Sequence, residues 1–212
     1  MNLRLSRQTF ELVFSSLVLA FVLLSFSSFL QFIESRPGVT FVDPLLETFL
    51  PMNLTWITFG LVYGAILLAV YERVRDIRAL ILTLQCYALL TIFRALLMWS
   101  LPLEPPTSMI VLLDPFVEIF GGGSPLTKDL FFSGHTSITF LLFLTSPSRL
   151  RWVFLVASAG VAFCVLAQHV HYTVDVLVAP FVSFASFQLI RLSRGLFDQY
   201  FQSRSPANPP PR

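Results

Sequence analysis

Two short polar signatures carry the residues of this chain that are equipped for chemistry: Phe132-Ser133-Gly134-His135-Thr136 and His171-Tyr172-Thr173-Val174-Asp175. All three histidines, His135, His169 and His171, fall in or beside them. His171 and Asp175 stand four apart, so on a helix they share a face and the carboxylate accepts a hydrogen bond from one ring nitrogen. That contact sets the tautomer and makes the opposite nitrogen a better nucleophile. His135 has the chemistry to protonate a leaving oxygen and then to deprotonate an incoming hydroxyl. Ser133-Gly134 sits where a helix start presents free backbone N–H groups to a phosphate oxygen, and Gly134 allows close approach. Arg94 offers a fixed positive charge for a phosphoryl group, and Lys128 a second one at the mouth of the site. The pattern points to phosphoryl chemistry at a membrane face.

Each residue also has a structural reading. His171 and Asp175 would serve equally as a hydrogen-bonded pair closing a turn, and His135 as a packing residue. Arg94 would snorkel or pair with Glu104 or Asp114. His169 diverges from His171 on a helix and reads as a supporting or interfacial residue. Asp129, beside Lys128, reads as a helix N-cap or first-turn charge. Asp43-Pro44 reads as a turn that either closes the first loop or faces the site. His135, His169, His171 and Asp175 have the ligand chemistry for zinc, but no His-x-x-x-His pair is present. The expectation is a site with neither metal nor cofactor.

The elements that must position these residues are membrane helices. Of 212 residues, 55% are hydrophobic and 12% charged, about half the charge of a soluble domain. Mean hydropathy is +0.76. The net charge of +2 argues against nucleic acid as a partner. Cys86 and Cys164 lie inside apolar stretches and read as small core residues. Six stretches have the length of a bilayer-spanning helix: Phe10–Ile33, Leu54–Tyr71, Ala79–Leu101, Asp129–Thr145, Trp152–Gln168 and Thr173–Leu192. Proline-rich Glu34–Asn53 joins the first two, and Pro102–Lys128 joins the third and fourth. The latter holds a Gly121-Gly122-Gly123 hinge and a short interfacial helix expected over Met109–Phe120, with Asp114 and Glu118 four apart. The first apolar stretch is too long for a cleavable signal peptide. The division is a short N-terminus (1–9), a helical catalytic domain (10–192) and a disordered tail (193–212) too short for a further domain.

Basic residues orient the bundle. Arg4, Arg7, Arg73, Arg75, Arg78, Arg149, Arg151, Arg191, Arg194, Arg204 and Arg212 fall on one side, against Arg36 and Lys128 on the other. The positive-inside rule then puts both termini in the cytoplasm. His135, His171 and Asp175 come to one level near the outer face, with Arg94 about 10 Å below the outer end of the third span. The host membrane and the oligomeric state are left open.

At these residues the sequence resembles the type 2 phosphatidic acid phosphatase (PAP2) superfamily, and within it the sphingomyelin synthase-like branch. Asp129-Leu130-Phe131-Phe132-Ser133-Gly134-His135-Thr136 matches that branch's Ser-Gly-His-Thr block. His169-Val170-His171-Tyr172-Thr173-Val174-Asp175-Val176 matches its His-x-His-Tyr-Thr-x-Asp-Val block. Arg94 ahead of Leu101-Pro102, and Asp43-Pro44-Leu45-Leu46, resemble two further and less specific motifs. The resemblance implies an all-α, six-span fold with an outward-facing site. It implies that His171 attacks phosphorus, Asp175 orients it and His135 is acid and base, through a covalent phospho-histidine without a metal. It also implies substrate contacts from Arg94, Ser133, Gly134, Lys128 and Tyr172.

Two departures from the phosphatase pattern bear on substrate. The arginine expected six residues before His171 is Val165, and the upstream Lys-x6-Arg-Pro block is missing. A phosphate monoester carries up to two charges and a diester one, so fewer cations favour a diester such as phosphocholine or phosphoethanolamine. The expected activity is head-group transfer from a donor phospholipid to a lipid hydroxyl, such as that of ceramide or a diacylglycerol. The alternatives are a lipid phosphatase or phospholipase C-like hydrolase with water as acceptor, and a non-catalytic lipid-binding protein. A transporter fits less well, since polar residues do not continue through the cytoplasmic halves of the spans beyond Thr83 and Gln85.

Overall fold

The computed structural model describes residues 2–113 and 126–203. Six α-helices run through them: α1 (Asn2–Ser35), α2 (Thr55–Arg73), α3 (Ile77–Ser100), α4 (Gly134–Thr145), α5 (Arg151–Ala167) and α6 (Thr173–Ser203). A 3₁₀ turn covers Leu46–Thr48. The strand-like pairing among the described residues is a single parallel bridge between Val39 and Leu103. Of the interfacial helix expected over Met109–Phe120, Met109–Leu113 are non-helical. Its remainder, with Asp114 and Glu118, lies outside the described residues, as do the triple glycine and the chain beyond Ser203.

Four helices are long and apolar enough to cross a bilayer: α1 from Arg7, α2, α3, and α6 as far as Phe197. α4 and α5 are apolar but shorter, at 12 and 17 residues. The outer surface is covered with large apolar side chains. Phe10, Phe21 and Leu24 on α1, Trp56 and Leu67 on α2, Phe163 on α5 and Phe181 on α6 are each at least 63% exposed. Water would penalise such a surface and hydrocarbon does not. The chain is an integral membrane protein.

Three expected boundaries move. The first helix starts at Asn2 rather than Phe10, so residues 2–9 are helical. The fourth helix starts at Gly134 rather than Asp129, because Ser133 takes the N-cap and accepts a hydrogen bond from the Thr136 N–H. The last helix continues to Ser203 rather than ending near Leu192, so residues 193–203 are helical rather than disordered. No proline interrupts before Pro206. The Arg194 guanidinium also ties this stretch back to Gln85 at 2.9 Å and to Glu11 at 3.7 Å.

Short α4 is the centre of the bundle, touching α2, α3, α5 and α6. Its small polar residues allow that crowding. Thr136, Ser137 and Thr139 are buried, the Ser158 hydroxyl donates to the Thr136 carbonyl at 3.2 Å, and the Ser183 hydroxyl to the Ser137 carbonyl at 3.1 Å. Such bonds hold apolar helices together where lipid offers no hydrophobic gain.

At the end of α4 away from the histidines sits a buried cation. Arg73, which composition counts among the surface charges, is 1% exposed. Its Nε donates to Thr83 Oγ1 at 2.9 Å, and its other nitrogens to Ala69 O, Leu142 O and Thr145 Oγ1 at 3.0–3.2 Å. Glu72 lies 3.3 Å away and accepts from the Ser146 and Ser148 hydroxyls. One guanidinium thus joins α2, α3 and α4. Arg73→Met leaves Glu72 buried without its counter-charge and is expected to destabilise the fold by about 3–5 kcal/mol. The exposed control Arg75→Met is expected to stay within about 0.5 kcal/mol. Thermal unfolding in detergent checks both.

Candidate active site

The two signatures meet through the backbone: the Ser133 N–H donates to the Asp175 carbonyl at 3.1 Å. α6 opens at Thr173, so His171 and Tyr172 precede the helix. The His171–Asp175 pairing is therefore made by a cap rather than by a helical turn. The Tyr172 N–H donates to Asp175 Oδ2 at 3.0 Å, the reciprocal half of a capping box. The same oxygen lies 3.5 Å from His171 Nδ1. That distance is longer than a formed hydrogen bond, as catalytic contacts often are before substrate arrives. Both side chains are buried, at 1% and 0% exposure. With Nδ1 turned to the carboxylate, Nε2 is the nitrogen left for chemistry.

On the other signature, His135 is the second residue of α4 and packs edge-on against Phe59, with ring centroids 5.7 Å apart. Arg94 reaches across from α3. Its guanidinium pairs with Asp129 Oδ1 at 2.6 Å and rests on Gly134 so closely that a Cβ there would collide with it. Arg94 Nε is buried without a hydrogen-bond partner among the described residues. A cavity of about 30 Å³, roughly the space of one water, lies between Arg94, Gly134, Ser137, Leu23 and Phe26. Gly134, the first residue of α4, opens onto the same place, and the Thr136 N–H behind it is taken by the Ser133 hydroxyl.

Other expected residues take structural contacts. Arg94 takes Asp129 as its counter-ion rather than Glu104, so Asp129 is not a helix cap, and Asp114 lies outside the described residues. The Lys128 ammonium donates to Glu104 Oε1 and to the Arg36 carbonyl, both at 2.7 Å. The Ser133 hydroxyl caps α4, and the Tyr172 hydroxyl donates to the Glu104 carbonyl at 3.0 Å. Cys86 and Cys164 are buried free thiols. Among the described residues no three His, Cys, Asp or Glu side chains gather into a metal-binding group.

The loop residues around the site carry more than the sequence suggests. Asp43 is 7% exposed and clamps the start of α6, accepting from the Thr173 N–H at 2.6 Å and the Thr173 hydroxyl at 3.0 Å. Gln168 ties Leu54, Thr55 and Ile110 together. His169 adopts a left-handed φ of 55° and shares its Nδ1 with the Ser108 hydroxyl at 2.6 Å. The Asp43-Pro44 dipeptide is the one sequence signal for this layer. Nothing local marks Gln168 or Ser108.

Protonation follows from these contacts. Burial opposes the Asp43 carboxylate, but the hydrogen bonds from Thr173, Leu45 and Leu46 outweigh it and hold its pKa below the ordinary 3.8. Burial pushes His169 below 6.5, with Asp43 opposing. Glu104 is held below 4.5 by the Lys128 and Gly38 bonds. A histidine buried neutral takes up its proton more readily in the unfolded chain, so its contribution to stability falls as pH drops below 6.5. Asp43 contributes fully above 3.8 and loses that contribution as pH falls through its folded value. Melting temperature is therefore expected to fall between pH 6.5 and 5, and the fall to be smaller in His169→Asn. Asp43→Asn removes the charge that opposes the His169 shift, so it is expected to deepen the fall in that window and to abolish its own steeper loss at lower pH.

Comparison with a family model points to the segment that holds both signatures. Residues 128–192 match the family model described as PAP2 superfamily C-terminal. The mouse phosphatidylcholine:ceramide cholinephosphotransferase 2 is 38% identical over 78 residues, covering 31% of this chain and 21% of that protein. The phosphatidylinositol:ceramide inositolphosphotransferase of Trypanosoma cruzi is 40% identical over 81 residues, covering 35% and 24%. Its Leishmania major namesake is 31% identical over 129 residues, covering 50% and 37%. The chain spans between 19% and 37% of the length of these and similar curated relatives. No solved structure matches it. Residues 128–192 are therefore similar to the PAP2 superfamily C-terminal family, in a chain part of which is similar to ceramide phosphotransferases.

Proposed function

We propose that this chain is a membrane enzyme that moves a phospho-head group from a donor phospholipid to a lipid hydroxyl. The observation that carries the reading is the Ser133–Asp175 backbone bond, which joins a buried His171–Asp175 pair to the N-terminus of the helix bearing His135. His171 Nε2 attacks phosphorus and forms a P–N bond while the bond from phosphorus to the diacylglycerol oxygen breaks. His135 gives that oxygen its proton. The acceptor hydroxyl then loses its proton to His135 and attacks phosphorus, and the P–N bond breaks. Asp175 orients His171 and steadies its charge. Arg94 Nε and the first N–H groups of α4 receive the phosphoryl oxygens.

A phosphodiester suits the available charge. The position where phosphatases carry an arginine is Val165, fully buried among Val62, Val161 and Val176, so no second cation enters from α5. The printed names of the relatives pair a phospholipid donor with ceramide, and both classes carry over to this chain as its proposed substrates. Residues 10–192 form the catalytic domain. All six helices cross the membrane, with the short α4 as an inner helix packed among α2, α3, α5 and α6. With 11 basic residues on one side against two on the other, both termini lie in the cytoplasm and the site faces outward.

Incubation of the purified chain with labelled phosphatidylcholine, with and without ceramide, tests this directly. Transfer to ceramide is expected, with an acid-labile label on the protein that disappears in His171→Ala together with a rate loss of about a thousand-fold or more. Release of phosphocholine at the same rate without ceramide would replace transfer by hydrolysis. Undiminished turnover in His171→Ala would remove His171 as the nucleophile, and undiminished cellular function in His171→Ala from a chain with no turnover would leave a lipid-binding protein. Gly134→Ala is expected to displace the Arg94 guanidinium, with turnover falling about a hundred-fold and melting little changed, since a flexible side chain absorbs the clash.

A further inference from the structure

A second cavity, of about 440 Å³, opens among the loops at the histidine end of the bundle. It is large enough for a lipid head group. Its wall has one consistent chemistry. Asp43 and Glu47 supply negative charge, Phe41, Phe49 and Tyr172 supply rings, and among the described residues neither Lys nor Arg lines it. Phe41 stacks on Tyr172 with centroids 3.9 Å apart, and Phe49 meets the His169 ring edge-on at 5.0 Å.

An independent observation points to a ligand. His169 lines the cavity and is 1% exposed, and its Nδ1 is taken by Ser108. Its Nε2 is buried without a hydrogen-bond partner among the described residues. A buried polar atom left unsatisfied is costly, so it calls for a partner that the described protein does not supply. In the tautomer where the Ser108 hydroxyl donates to Nδ1, Nε2 carries the hydrogen and seeks an oxygen. The two acids exclude a purely anionic guest. Aromatic faces beside carboxylates suit an alkylammonium, whose charge is drawn to the rings.

We propose that this cavity holds the alkylammonium head group of the donor lipid, with Phe41, Phe49 and Tyr172 around the cation, Asp43 and Glu47 as counter-charge, and His169 Nε2 bonded to a head-group oxygen. The assignment rests on the transfer reading above, since His171 stands in the chain between the wall residues His169 and Tyr172. It selects choline-type donors over inositol-type donors, a choice on which the similar proteins divide.

The test uses the full chain in phosphatidylglycerol nanodiscs, which present no choline. Binding of phosphocholine and of inositol 1-phosphate is followed by ligand-observed NMR for the wild type, Phe41→Leu, Phe41→Trp and His171→Ala. Phosphocholine is expected to bind and to be displaced by tetramethylammonium, with inositol 1-phosphate at least about ten-fold weaker. Phe41→Leu is expected to weaken phosphocholine by about ten-fold, and Phe41→Trp to restore it. Should Phe41→Leu fail to fold, Phe49→Leu carries the same comparison. Equal binding of the two phosphates, or unchanged affinity in the leucine variant, overturns the pocket. Selective binding retained in His171→Ala, beside a wild type that transfers nothing, upholds the pocket and sinks the transfer reading instead.

Discussion

The carboxylate of Asp175 is fully buried, and the arrangement of the histidine end follows from how it is satisfied. A polar group buried in a membrane protein is costly unless donors reach it, and Asp175 Oδ1 has none among the described residues. Here the Tyr172 N–H supplies one bond and the His171 ring stands 3.5 Å away, while the backbone carbonyl of the same residue takes the Ser133 N–H. One residue therefore caps its own helix, stands beside the His171 ring and joins the start of α6 to the start of α4. The loop that delivers His171 has little freedom left. Asp43 holds Thr173 from the opposite side, and the Tyr172 hydroxyl is bonded to Glu104.

Charge is handled differently at the two ends of the bundle. At the far end, Arg73 is consumed by five oxygen contacts and binds the helices together. At the histidine end, Lys128 is neutralised by Glu104, and Glu34 accepts from the Thr127 and Lys128 backbones. Arg94 is the exception: it has a counter-ion in Asp129 yet keeps Nε without a partner among the described residues. A cation that is held in place but not fully satisfied suits a phosphoryl oxygen better than a fully paired one. Gly134 makes that placement possible by having no side chain.

The helices were legible because apolar runs of bilayer length have few alternatives. Their ends were less so. The start of α4 depends on which of Asp129 and Ser133 takes the cap, and Asp129 is drawn away by Arg94. The end of α6 depends on Arg194 finding Gln85 and Glu11, contacts between residues distant in sequence. The His135, His171 and Asp175 pattern was legible from spacing and residue type. The Asp43 clamp, the Gln168 hub and the Ser108–His169 contact were not. Each joins loops separated by tens of residues, and loop conformation has no periodicity to read.

Residue types and order alone determined that this chain is helical and membrane-embedded, and that its polar chemistry gathers in two signatures. They did so because burying charge or unpaired backbone in hydrocarbon is costly enough to limit the choices. Tertiary structure decided what each polar group is for. Arg73 and Lys128 look like free charges in the sequence and are structural staples, whereas Asp43 looks like a turn and anchors the loop bearing His171. The reason is that a side chain's role depends on its partners, and here the partners lie as far as 130 residues away, brought together only by helix packing.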